Sequence, residues 1–170
     1  MASARGFDGC RGFTLFEFVI VISIIATLAA VLVGRLESTA AIAEKTAMET
    51  TVNQINTALL FEFADDVIHN TRGKIPAMVG RNPVDMLAQP PSNYVGEFSK
   101  APEQPNPAGG WYFDTTDRSL VYTVRRGDEF QPDSAGIKRV RYRIKLLYDN
   151  AEPRGTVGVI LSPVESYKWF

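Results

Sequence analysis

Cysteine is nearly absent from this chain: Cys10 is the only one in 170 residues. One cysteine makes no internal disulfide, so packing has to hold any folded part together. Histidine is as scarce, with His69 alone, and one His with one Cys makes no His/Cys zinc site. No excess of one charge sign is present either. Lysine and arginine total 18 against 19 aspartates and glutamates, a net charge of -1. That excludes a generally basic nucleic-acid binder. No glycine motif that cradles phosphate occurs, and Ala108-Gly109-Gly110 reads as a loop. Charge is missing altogether from one stretch. From Phe18 to Val33 sixteen residues carry none, and only Ser23 and Thr27 are polar. A chain of this length has room for one domain plus a membrane element, not for two independent cores.

The apolar stretch widens to residues 13–34, Phe-Thr-Leu-Phe-Glu-Phe onward. As a helix these residues reach roughly 33 Å, enough to cross a hydrocarbon core of about 30 Å. Many are β-branched, but in lipid the backbone must satisfy its own hydrogen bonds, which favours a helix. One reading is a cleaved secretory signal, with Ala41-Ile42-Ala43 as the small-x-small site. That run is long for a signal core, and the site lies beyond Arg35 and Glu37. A second reading is a plain single-pass anchor. Neither explains Glu17. A carboxylate inside a membrane segment costs on the order of 2–3 kcal/mol, so it sits wet at the headgroup level or it has a partner. A cut after Gly12 would give Phe13 a free α-amine four residues before Glu17. Ammonium and carboxylate could then neutralise each other between chains in an assembly.

Gly12-Phe13-Thr14-Leu15-Phe16-Glu17 followed by the apolar run resembles the signal of type IV pilins and type II secretion pseudopilins. The resemblance covers roughly residues 5–34. It implies that a prepilin peptidase cuts between Gly12 and Phe13 and N-methylates Phe13. It also implies that Glu17 recruits and registers a new subunit at the filament base. Further partners it implies are other pilin-like subunits, an inner-membrane assembly platform and membrane lipid. Phe16 and Phe18 stand where such proteins usually carry aliphatic residues, and Gly34 stands where many carry the proline at which the helix melts. Arg5 and Arg11 precede the run, so the positive-inside rule favours a cytoplasmic leader, residues 1–12, and an exported C-terminal part, which the resemblance places in the periplasm. Cys10 leaves with the leader, and the mature chain then holds no cysteine.

No Gly or Pro occurs from Arg35 to His69. Met48, Val52, Ile55, Leu59, Phe63 and Val67 recur at spacings of three and four, which predicts an amphipathic helix over 35–69 with its stripe on the protein's own sheet. Asn70 and Gly73 are the stop signals. With the apolar segment this makes a rod of roughly 80 Å whose first half needs lipid or neighbouring copies to cover it. Seven prolines between Asn70 and Gly110 predict a long irregular crossing, with one short helix over 82–89 capped by Asn82. Trp111–Asp114 and Leu120–Arg125 read as a hairpin, Val140–Tyr148 as the clearest alternating strand and Gly155–Leu161 as a fourth. The aromatic end, Tyr167 to Phe170, covers the core or joins a neighbour. The expected fold is α+β and pilin-like: a long N-terminal helix on an antiparallel sheet of about four strands, over residues 35–170.

Enzyme chemistry finds little support. His69 falls at the predicted helix end, where capping accounts for it. No cofactor is expected. Calcium comes into question because major pseudopilins bind it in a loop near the C-terminus. Asp114 with Asp117, Asp128 with Glu129 and Asp133, and Asp149 with Glu152 are the candidate oxygens, but none has the alternating acidic spacing of a calcium loop. Arg139, Arg141, Arg143 and Lys145 form a basic strand face. It reads as a solvated face, or else as an anion-binding one for an acidic subunit or DNA. It lacks the exposed aromatic row expected for stacking on single strands. The expected function is a structural filament subunit, a minor pseudopilin of a type II secretion system or a minor type IV pilin. A binding module and an anchored domain unrelated to filaments are the alternatives.

Overall fold

The computed structural model describes residues 13–99, 108–149 and 155–170. The leader with Gly12, three of the loop prolines (Pro102, Pro105 and Pro107) and Glu152 lie outside them. Two compact units divide the chain at Thr39/Ala40.

In the first unit the described residues are Phe13, Thr14 and the start of helix α1, Leu15–Ile68. Every residue from Phe13 to Thr39 is exposed, the large apolar ones included. The helix is long and apolar enough to cross a membrane. The two polar side chains of the run are satisfied within it. Ser23 Oγ donates to Val19 O at 2.7 Å and Thr27 Oγ1 to Ser23 O at 2.8 Å, so neither adds an unmet group in lipid. The helix runs unbroken through Gly34. Glycine there weakens a helix by about 1 kcal/mol relative to alanine, without the carbonyl clash that proline brings.

In the second unit the remaining part of α1 lies on a sheet. The sequence stripe is the contact face: Met48, Ile55 and Leu59 are fully buried, and Val52, Phe63 and Val67 pack partly buried beside them. Burying each large aliphatic side chain contributes roughly 1.5–3 kcal/mol. Asn70 ends the helix as predicted, at φ 58, with Thr71 N–H closing on Asp66 O at 2.8 Å. Asparagine tolerates this left-handed turn better than most side chains.

The sheet has five strands in the order β1-β2-β3-β4-β5. They are β1 Tyr94–Phe98, β2 Trp111–Asp114, β3 Ser119–Thr123, β4 Arg139–Tyr148 and β5 Thr156–Pro163. Strands β2 to β5 are the four expected ones, all antiparallel. β1 was not expected, and it pairs parallel with β2, so the sheet is mixed. Its alternation is broken by a register shift between Tyr94 and Glu97 and by Gly96 at φ 111, a bulge that hides a strand from a period-two reading. The fold class is therefore α+β, a long N-terminal helix with a five-stranded mixed sheet, as in a pilin-like fold.

The inner face follows the register. Trp111 pairs with Tyr122, Phe113 with Leu120, Leu120 with Tyr142 and Ile144 with Leu161, all buried. Trp111 lies against Tyr122 and Tyr142 with ring centroids 4.8 and 5.9 Å away. The C-terminus closes one side of this core. Trp169 is buried edge-on to Phe130 and forms a backbone bridge with it, while Phe170 stays exposed. The crossing from helix to sheet holds two 3-10 turns, Arg72–Met78 and Pro83–Met86. The second is the expected short helix cut down to one turn. Its cap is as read: Asn82 Oδ1 accepts from Val84 N–H at 3.1 Å.

Candidate functional site

At the N-terminal end, Thr14 caps α1. Thr14 Oγ1 accepts from Glu17 N–H at 3.2 Å, and Thr14 O accepts from Phe18 N–H at 3.1 Å. Thr14 and Glu17 thus stand at the N-cap and third helical positions. This is the Ser/Thr-x-x-Glu spacing of a capping box, a signal present in the sequence and missed there. A first-turn carboxylate is favoured by the helix dipole, and a cation at that end is disfavoured. Phe13 lies just before the cap and is exposed. An α-ammonium created at Phe13 would sit at the positive end of the helix, where a carboxylate offsets it. Glu17 is the acid in the first turn.

The basic strand is less free than its sequence suggests. Arg139 Nε donates to Asp133 Oδ2 at 2.7 Å. Arg141 meets Asp117 Oδ2 at 3.4 Å and Glu165, and Arg143 reaches the same Asp117 oxygen at 3.4 Å. Lys145 is exposed. The three arginines are half-buried and lie over a face where Tyr112 and Val121 are buried too. The expected wet face is thus an ion-pair layer. The alternation of β4 was legible, but the carboxylates come from loops outside the strand.

Burial pushes the Asp133 carboxyl up, but Arg139 and the N–H groups of Ile137 and Ala135 outweigh it and hold it below the usual carboxylate range. Ser134 N–H and hydroxyl bonds and the Arg141 charge hold Glu165 low.

Three of the calcium candidates are engaged within the chain. Asp114 Oδ1 accepts from Thr116 N–H at 2.9 Å, an ordinary turn contact. Asp117 and Asp133 serve the arginines. Among the described residues no three acidic, histidine or cysteine side chains converge. His69 stands at the end of α1, exposed, with Nδ1 3.1 Å from Asp65 Oδ1.

Two helix side chains that carry no sequence signal tie α1 to the sheet. Glu44 accepts from Arg125 N–H at 2.7 Å, Arg126 N–H at 2.9 Å and the Tyr122 hydroxyl at 3.1 Å. Burial pushes the Tyr122 phenol up, and the Glu44 charge adds to it. Asn56 Oδ1 accepts from Leu161 N–H at 2.7 Å, capping one edge position of β5. Nothing local marks either residue, since their partners lie about eighty and a hundred positions away.

These features describe an α+β domain carried behind an exposed apolar helix with a capped, acidic first turn. Residues 8–33 match the model of the prokaryotic N-terminal methylation motif. No curated protein and no solved structure matches the chain. The chain carries a prepilin-type signal of the type IV pilin kind, the mark of a pilin- or pseudopilin-like prepilin peptidase substrate. The motif family is structural. Motif and helix together are consistent with anchoring in the inner membrane.

Proposed function

We propose that the chain is a structural filament subunit with no enzymatic role: a minor pseudopilin of a type II secretion system or a minor type IV pilin. Residues 1–12 are a cytoplasmic leader, 13–34 the membrane and assembly helix, and 35–170 the periplasmic head. Prepilin peptidase cuts between Gly12 and Phe13 and methylates the new amine. The subunit waits in the inner membrane until the assembly platform adds it to neighbouring pilin-like subunits. Glu17 of the incoming chain then pairs with the Phe13 ammonium of a chain already in place. The subunit itself holds no cofactor in this reading; the methyl group comes from a methyl donor used by the peptidase.

The observation that carries the reading is the coincidence of the matched motif with a helix exposed all round from Leu15 to Thr39. Such a surface needs lipid or copies of itself. The arginines of β4 do not favour a DNA-binding module, because each is held by a carboxylate of the same chain. Cleavage tests the proposal. Gly12→Trp is expected to stop leader removal, with the full-length chain accumulating in membranes on an immunoblot. Cleavage of that variant at the wild-type rate would count against a prepilin peptidase site.

A further inference from the structure

The second unit carries two unlike surfaces. One is a cleft of about 630 Å³ between the 40–54 part of α1 and the turns at Asn93, Gly109 and Arg125-Arg126. Its helical wall is small, at Ala40, Ala43 and Ala47, and both arginines stand at its lining and are exposed. The Glu44 carboxylate in the cleft is taken up by the Tyr122 hydroxyl and by the N–H groups of Arg125 and Arg126. Arg125 Nε is held by Ala108 O at 2.7 Å. That carbonyl leaves the Arg125 charge in place, so with the Arg126 guanidinium the cleft offers an incoming anion two exposed cations. The other surface is a ridge on the 60–68 part of α1, turned away from the sheet. Leu60, Phe61 and Ile68 are 59%, 72% and 78% exposed. Asp65 lies one turn after Phe61, with a side chain 70% exposed and Oδ1 3.1 Å from His69 Nδ1; Asp65 and Phe61 share a face.

We propose that the ridge of one copy seats in the cleft of the next, Phe61 against Ala43 and Ala47 and Asp65 against Arg126. This rests on the filament reading above and names one contact within it. Apolar ridge and small-walled cleft match, and so do acid and arginine. The acid on the ridge disfavours an anionic lipid surface as its cover. The two surfaces are different patches of one chain, so the contact is heterologous. It joins two copies head to tail where they are neighbours in the filament and does not close into a two-fold dimer.

The test uses the full chain in its own membranes, in a Cys10→Ser background. Two versions, Ala43→Cys and Phe61→Cys, are expressed together and oxidised. A disulfide-linked dimer is expected from the mixture and not from either version alone. Arg126→Glu and Asp65→Lys should each lower that product by roughly threefold, the scale of an exposed ion pair, and together restore it. Sheared filaments that contain both versions without the dimer would overturn the proposed contact and leave the filament reading intact. A double reversal no better than either single one would also overturn it. The dimer appearing in membranes where no filament forms would uphold the contact and refute the filament reading. Neither dimer nor filament would refute both.

Discussion

Glu17→Ala is expected to reach the membrane and lose its leader normally, and then to be almost absent from filaments. The proposed cut falls between Gly12 and Phe13, so a change at Glu17 leaves the residues at the cut in place. Assembly differs. In the proposed assembly each added subunit brings an α-ammonium at Phe13 into a bundle of apolar helices, at the positive end of its own helix dipole. Removing one partner of a buried charge pair costs about 3–5 kcal/mol, because the other charge stays buried and unmet. At about 1.4 kcal/mol per tenfold, that corresponds to a drop in incorporation of two orders of magnitude or more. Blots of total membranes and of the sheared fraction read both halves. Wild-type amounts of the variant in filaments would remove Glu17 from the mechanism.

The second large effect lies in the head. Trp111→Ala is expected to destabilise the second unit by about 3–5 kcal/mol, a large part of the total stability of a domain this size. Trp111 is fully buried between Tyr122 and Tyr142, in one core with Met48 and Ile55 of α1. Removing the indole leaves a void that the paired strands β2 and β3 cannot collapse into. Trp111→Phe separates volume from polarity. Trp111 Nε1 has no hydrogen-bond partner among the described residues, so phenylalanine loses packing area without losing a bond and should cost clearly less than alanine. Urea unfolding of the purified chain in detergent, followed by far-ultraviolet dichroism, gives both values. An alanine variant as stable as wild type would mean that the core is not organised around this residue.

Much of this protein was legible in its residues, for physical reasons that can be named. The helix was readable because an uncharged run, followed by an i, i+3, i+4 stripe without Gly or Pro, fits no strand or loop pattern. The four antiparallel strands were readable from alternation and a hairpin turn. β1 was not, since a bulge and Gly96 at positive φ break the alternation. The signal was readable because its residues are contiguous. Even there the Thr14 cap, which gives Glu17 a local helical role beside its proposed one, was overlooked despite a recognisable spacing. The basic strand shows the opposite limit. Arg139, Arg141 and Arg143 look like a free cationic face in sequence, but Asp117, Asp133 and Glu165 arrive from loops before and after the strand. Glu44 and Asn56 were invisible for the same reason: their roles are set by partners far along the chain.

The most direct measurement is the intact mass and N-terminal sequence of the chain recovered from its own membranes. The account predicts a single species that begins at Phe13, heavier by one methyl group at the amine, with residues 1–12 and Cys10 gone. A chain that still begins at Met1 in the presence of an active prepilin peptidase would contradict it. Glu17 would then be an ordinary interfacial carboxylate in a capped helix. A chain that begins after Ala43 would contradict it differently, leaving a secreted head with no assembly helix.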